Sequence, residues 1–321
     1  MSLPGAIVDL PSITDKDEID LVEFGIKNRV HMVAASFIRK AEDVEDVRNL
    51  LDDGDYGKTI KIFAKVENRE AISNYEEIVR AADGIIIQRV ALSQEIPPEK
   101  VFIAQKYMIE KANLASKPVV IFGNVIQSMT KKNKPTRAEA TEISVAVLDG
   151  VDCLMVGEET AVGEFPVETV SMMSKICAEA ERCVDYKKSL AYVKQYTRSP
   201  TMLEALASNA TTQVLDMGID LIIVLTETGV MPQILAKYRP SVPIFAVSTN
   251  ELVVWQLNAL RGVTSYKIAE YSNFETLCML AVNQAKHLKL CKPGRKVLFI
   301  HGNDEERPDV DPRLKLIDIY E

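Results

Sequence analysis

Lys61-Ile62-Phe63-Ala64-Lys65-Val66-Glu67-Asn68 reads as an apolar strand that ends in charge. Its first half lacks the polar alternation of a half-exposed strand, as expected of a parallel strand covered on both faces. Lys65 and Glu67 are two residues apart, so on a strand their side chains leave the same face. Burying an ammonium and a carboxylate among Ile, Phe, Ala and Val is costly unless each has a partner. At the C-terminal end of a strand they would lie where barrels and open α/β sheets place their sites. A lysine near phosphate and a glutamate near a divalent cation suit phosphoryl transfer. A structural Lys–Glu pair satisfies the same spacing, and the strand alone leaves both readings open.

Working outward, similar apolar runs occur at residues 31–37, 60–66, 84–88, 118–123 and 153–157. Between them lie helical patterns at 43–51, 75–81, 98–112, 137–148 and 166–182, and Thr136 with Glu139 has capping-box spacing. Strand–helix units repeated in one direction predict an α/β fold with a parallel sheet, doubly wound or barrel. The polar segment 185–201 predicts a domain boundary, with one domain over residues 1–186 and a second over 200–321. In the second, helices are expected at 202–217, 231–238, 251–260 and 275–287, with strands at 221–225, 243–247, 296–300 and 314–320. A closed barrel needs eight strands and typically about 250 residues; the first region supplies five.

The 321-residue chain is 47% hydrophobic and 26% charged, ordinary for a globular protein of about two domains. A net charge of −8 argues against a general nucleic-acid binder, which needs a basic face. No apolar run approaches the ~18 residues that span a bilayer. The first nine residues carry no basic region followed by an apolar core, so no secretory signal is expected and the location is read as cytoplasmic. Cys153, Cys177, Cys183, Cys278 and Cys291 form no CxxC pair, and an odd number in this setting reads as reduced thiols. No His/Cys spacing suits zinc, so any metal would be held by oxygen.

Other chemical positions are less specific. Arg89, after the third strand, could bind an anion or serve packing and interfaces. Lys131, Lys132, Lys134 and Arg137 surround a helix start, which could hold phosphate, line a subunit contact or be a solvated loop. Thr226-Glu227-Thr228-Gly229 follows a strand and precedes a helix; its hydroxyls and glycine resemble a phosphate cradle or a plain cap, and Glu227 would repel phosphate. His301 reads as structural, and the acidic stretch Asp304-Glu305-Glu306 as an exposed loop.

Taken together, LPGAIVDLPSITDKD (3–17), MVAASFIRKAEDV (32–44), IKIFAKVENREAI (60–72), ADGIII (82–87), EIPPEKVFIAQK (95–106), NKPTRAEATE (133–142) and AVLDGVDCLMVGEETAVGEFPVE (146–168) resemble the pyruvate kinase family. So do IVLTETG (223–229), KYRPSVPIFAV (237–247) and LNALRGV (257–263), in family order. The resemblance implies an incomplete TIM-type (β/α) barrel, about five of eight strands, followed by a three-layer α/β effector and oligomerisation domain. It implies phosphoryl transfer from phosphoenolpyruvate to ADP in glycolysis with Mg²⁺ and K⁺, in a homo- or hetero-oligomer of pyruvate kinase subunits. Lys65 corresponds to the lysine that stabilises the transferring phosphoryl group and enolate, and Glu67 to one metal carboxylate. Arg89 falls near substrate and a subunit interface, and Arg137 near an interface or phosphate. The first three barrel strands, the lid and most K⁺ ligands are expected N-terminal to this stretch.

Several family positions are changed. The family's Arg-Gly-Asp-Leu-Gly reads Arg89-Val90-Ala91-Leu92-Ser93, so Ala91 cannot ligate metal and Val90 puts a Cβ where backbone approaches substrate. Ala-Thr-Gln reads Phe122-Gly123-Asn124, which removes the hydroxyl associated with protonating enolpyruvate. Leu-Ser-Gly-Glu-Thr reads Val156-Gly157-Glu158-Glu159-Thr160, which removes another. In the effector turn, Thr226, Thr228 and Gly229 remain while Val230 and Met231 replace hydroxyl or basic residues. Impaired turnover is expected, with any Mg²⁺ held weakly and phosphorylated effectors bound poorly; the alternative is a catalytically inactive paralogue acting as a structural or regulatory subunit.

Overall fold

The computed structural model describes residues 11–52, 54–197, 199–271, 273–304 and 307–319. The motif at residues 3–10, the reading of the first nine residues as free of a leader, and residues 305–306 of the acidic loop lie outside them. The chain divides into two compact units, Met1–Val184 and Asp185–Glu321.

In the first unit, β1 (Met32–Ala35), β2 (Lys61–Val66), β3 (Gly84–Gln88), β4 (Val119–Phe122) and β5 (Cys153–Met155) form one sheet in chain order, every pair parallel. Helices α1 (Asp15–Ile19), α2 (Ala41–Leu51), α3 (Arg69–Ser73), α4 (Tyr75–Ala81), α5 (Arg89–Glu95), α6 (Pro98–Leu114), α7 (Arg137–Asp149), α8 (Glu158–Ala161) and α9 (Pro166–Glu181) precede or link these strands. A doubly wound sheet reverses its strand order at a switch point. This one never reverses, so right-handed crossovers place successive helices on one face. That is the winding of a barrel, here over five strands.

The two sheet faces separate by residue parity. Ile62, Ala64, Val66, Ile85, Ile87, Val119 and Ile121 join one continuous core with Val44, Leu51, Ile78, Met108 and Ile143 of the helices. Phe63, Ile86 and Val120 are buried but stand outside that core, on the opposite face, and Lys65 shares their side. Phe63 pairs with Gly84 across the strands, and a Cβ at position 84 would sit 2.4 Å from its ring. The glycine therefore makes room for the phenylalanine that fills this face.

The short helices α1, α3 and α8 are absent from the sequence reading, and so are two longer ones. α5 begins directly at Arg89 with no side-chain cap on Gln88, so neither a loop nor a cap marks its start. Tyr186–Tyr196 forms α10 inside the polar segment 185–201; it buries Leu190 and Val193 in the core of the second unit.

The second unit continues with α11 (Met202–Met217), β6 (Leu221–Leu225), α12 (Val230–Lys237), β7 (Ile244–Ser248), α13 (Glu251–Leu257), β8 (Val263–Lys267), α14 (Phe274–His287), β9 (Lys296–His301) and β10 (Arg313–Asp318). Its sheet runs β10-β9-β6-β7-β8, with only β10 antiparallel. Alternate residues of β6, β7 and β9 face α11–α13 on one side and α14 on the other, giving three layers. Strand β8, also unanticipated, is a half-exposed edge whose Thr264 and Ser265 break the apolar run. The order reverses between β6 and β9, so a crevice opens there beyond the strand C-termini.

Candidate functional site

The chemical residues of the first unit gather at the C-terminal ends of its strands. Lys65, near the end of β2, reaches Ser36, which follows β1: Nζ donates to Oγ at 2.9 Å. The same ammonium lies 3.0 Å from Glu67 Oε1. Glu67 Oε2 accepts the Phe37 N–H at 2.8 Å. Only 7% of Glu67 is exposed, so both of its oxygens are used by the chain itself. Asn68 then caps α3 by accepting the Ala71 N–H at 2.8 Å, which fixes where β2 ends and the helix starts.

The ring of Phe122, last in β4, faces the Lys65 ammonium at 5.8 Å from its centroid. A contact of this kind contributes about 0.5–1 kcal/mol in a half-exposed setting. Phe122 also accounts for Gly157: a Cβ there would meet ring atom Cε2 at 3.2 Å. Gly123 has φ +85°, and a Cβ on it would meet Gln88 Oε1 at 2.5 Å and Val90 Cγ2 at 2.9 Å. Four of the positions singled out above therefore form two interlocked pairs. In each pair a bulky apolar side chain (Val90, Phe122) fills the space beside a glycine that follows the next strand (Gly123, Gly157).

Arg89 is engaged by groups of the chain itself. Its guanidinium donates to Gly123 O at 3.1 Å and Asn124 O at 2.6 Å and pairs with Glu142 at 3.2 Å. Burial lowers its pKa and the Glu142 carboxylate pulls it back up. The arginine thus clamps the β4 turn to α7. Arg137 is exposed at the first position of α7, away from these contacts. The capping box beside it is real: Thr136 and Glu139 bond reciprocally, and Glu139 also accepts from the Ser128 N–H at 2.7 Å and its hydroxyl at 2.5 Å. Burial raises the Glu139 pKa, but these four bonds outweigh it and hold the carboxyl below its ordinary value.

The donors present do not make a divalent-metal centre. Ala91 offers no oxygen, Glu67 is already doubly engaged, and the described residues contain no group of three or more His, Cys, Asp or Glu able to hold a metal. Gln88 Oε1 is a buried oxygen without a hydrogen-bond partner, set against Gly123. One amide oxygen and one engaged carboxylate fall short of the six oxygens that Mg²⁺ requires from protein, substrate and water.

Sequence reading missed Ser36 and the role of Phe122. Ser36 carries a usable signal, since it follows a strand C-terminus, where such sites form. Phe122 carries none, because its partner Lys65 is two strands away. In the second unit, Thr226 and Gly229 lie at the β6–α12 turn and Thr228 beside them is exposed; His301 packs on Phe274 with ring centroids 4.1 Å apart.

A singly wound parallel sheet with a lysine–glutamate pair at its strand C-termini, joined to a three-layer α/β unit, defines the architecture of a barrel-type α/β protein. The family profile "Pyruvate kinase, barrel domain" matches residues 1–170, and "Pyruvate kinase, alpha/beta domain" matches residues 204–310. The chain belongs to the pyruvate kinase family. It is 45% identical over 318 residues to a pyruvate kinase of Eimeria tenella, spanning 99% of this chain and 60% of that one. It is 41% identical over 323 residues to one from Dictyostelium discoideum, spanning 99% and 63%. A crystal structure of a pyruvate kinase from Cryptosporidium parvum superposes with a TM-score of 0.94 at 38% identity, over 99% of this chain and 64% of that one. The chain thus spans about three-fifths of the length of these relatives. No helix among the described residues is long and apolar enough to cross a membrane.

Proposed function

We propose that this chain is a pyruvate kinase-like protein whose transfer of phosphoryl from phosphoenolpyruvate to ADP is severely impaired. The observation that carries this reading is the engagement of Lys65: Ser36, Glu67 and the Phe122 ring already surround the ammonium that would meet the substrate's phosphoryl and enolate oxygens. Lys65 retains the charge to hold an anionic oxygen, and Ser36 and Glu67 orient it. Mg²⁺ is expected from the family, but the one carboxylate at its position, Glu67, already has both oxygens engaged by the chain. K⁺ is expected from the family alone. Each preorganised electrostatic donor lost typically costs about 10²–10³ in rate, and the Ala91 and Gly123 positions lose two such groups. A cytoplasmic location fits relatives named as cytosolic isozymes, such as that of Glycine max.

The test is a lactate-dehydrogenase-coupled assay with phosphoenolpyruvate, ADP, Mg²⁺ and K⁺, run beside the Eimeria tenella relative. Turnover at least ~10³-fold lower, and abolished by Lys65→Met, is expected. Turnover equal to the relative's would overturn the reading.

A second reading, a non-catalytic subunit in a homo- or hetero-oligomer with pyruvate kinase chains, is favoured by the apolar side chains left uncovered around α8 and α9. Val162 and Val167 are each 76% exposed. Co-elution with an active pyruvate kinase on mixing supports it; separate elution at micromolar concentration counts against it.

A further inference from the structure

Lys61, Asp83 and Lys117 stand at the N-terminal ends of β2, β3 and β4, the opposite end of the first sheet from Lys65. In barrels that end ordinarily serves stability alone. Here it gathers three cations around one carboxylate. Asp83 turns toward β2: its Oδ2 accepts the Ile62 N–H at 2.9 Å and the Arg48 guanidinium at 2.5 Å, and its Oδ1 lies 3.5 Å from Lys61 Nζ. Arg48, on α2, donates from its other terminal nitrogen to Ile60 O at 2.8 Å. The carboxylate is therefore spent on one side of β3.

Lys117 stands on the other side. It precedes Val119 by two residues, as Asp83 precedes Ile85, and Val119 and Ile85 are register partners. The Lys117 N–H donates to Ala112 O at 2.9 Å and the Ile85 N–H to Pro118 O at 2.9 Å, so the backbone that carries the lysine is fixed. Its side chain is half-buried, yet among the described residues no hydrogen bond or ion pair reaches the ammonium. Burial lowers the Lys117 pKa, Asp83 raises it, and Lys61 and Arg48 lower it again. The next carboxylate along the sheet, Asp152, gives Oδ2 to the Val119 N–H at 3.0 Å and so is turned to the backbone.

Three positive charges against one negative leave an excess of two on this rim. A half-buried ammonium without a counter-charge is costly, and like charges beside it add to the cost. The charge balance selects a doubly charged anion, and donors arriving from α2, β2 and the start of β4 suit one with an oxygen for each.

We propose that Arg48, Lys61 and Lys117 form a binding site for a small tetrahedral oxyanion of charge −2, at the N-terminal rim of the first sheet. Lys117 is the residue that makes it a site, because Arg48 and Lys61 already share Asp83. The site stands apart from the proposed impairment of phosphoryl transfer, since Lys65 and Glu67 lie at the other strand ends, and its test contains no measurement of turnover.

The test uses the full chain, with inorganic phosphate at pH 8 as the probe and chloride at matched ionic strength as the control. Wild type is expected to show a saturable rise in Tm with phosphate that chloride does not give. Lys117→Met is expected to melt no lower than wild type in chloride, because a repelled cation has been removed, and to lose at least half of the phosphate rise. Lys65→Met is expected to keep the full rise. Absence of a phosphate-specific rise in wild type, its survival in Lys117→Met or its loss in Lys65→Met overturns the site. A Lys117→Met chain that melts lower in chloride overturns it too, and makes the lysine a structural partner of Asp83. If Lys117→Met does not fold, the Cε signal of Lys117 in wild type decides the matter. Its titration midpoint should move up in phosphate relative to chloride, and an unmoved midpoint means that no anion binds there.

Discussion

The Lys65 ammonium and the Phe122 ring face each other across the strand ends of the first sheet, 5.8 Å from nitrogen to centroid. The lysine is thus held by a hydroxyl, a carboxylate and an aromatic face, and an incoming anion has to compete with all three. Removing the ring should loosen that hold without removing the charge. Phe122→Ala is expected to tighten binding of phosphoenolpyruvate several-fold, measured by calorimetry, while lowering stability by about 2–3 kcal/mol for the lost aromatic packing. Weaker or unchanged binding would show that the ring does not compete.

The Val90–Gly123 pair should behave as a unit. Gly123→Ala puts a Cβ 2.9 Å from Val90 Cγ2 at a φ of +85° and should cost about 1–3 kcal/mol in urea unfolding. Part of that cost belongs to the collision, so the same change in a Val90→Ala background should cost about 1 kcal/mol less. Strictly additive costs would mean that backbone strain alone sets the penalty.

Glu139 gives a pH dependence of definite sign. Its folded pKa lies below the ordinary value, so the stabilisation is fully present above the unfolded carboxyl pKa and is lost as pH falls through the folded one. Unfolding free energy measured from pH 7 downward should therefore decline in the acid range, and Glu139→Gln should flatten part of that decline. An unchanged slope in the variant would place the acid sensitivity elsewhere.

Lys237 is a nearly buried ammonium of α12, paired with Glu204 at 2.6 Å. Glu204 also completes the capping box of α11, and with the lysine these bonds outweigh its burial and lower its pKa. Lys237→Met should cost about 3 kcal/mol, because it leaves the carboxylate with half its partners. It should also shift acid unfolding of the second unit, since the remaining Glu204 titrates closer to its ordinary value. A neutral substitution in thermal melts would argue that water replaces the lysine at no cost.

Strands β2, β3, β6 and β9 were legible because a central parallel strand is apolar on both faces, and continuous Ile, Val and Phe runs have few other uses. Strand β8 was not, because an edge strand keeps one side in water and Val263-Thr264-Ser265-Tyr266-Lys267 reads like a loop. The Lys65–Glu67 pair announced itself by charge in an apolar run. Whether it is a site or a structural pair depended on Ser36, Phe37 and Phe122, none adjacent to it in the chain. The cluster around Asp83 was hidden for the same reason: Arg48, Lys61 and Lys117 come from separate parts of the chain.

The interlocking of Val90 with Gly123 and of Phe122 with Gly157 bears on which substitutions the strand ends tolerate. Adding a side chain at position 123 or 157 alone drives it against the bulk beside it. Trimming Val90 or Phe122 alone leaves a void. A single substitution at either member of a pair therefore costs stability, and a paired one costs less. The two pairs therefore act as locks: each member fixes which residue its partner can be.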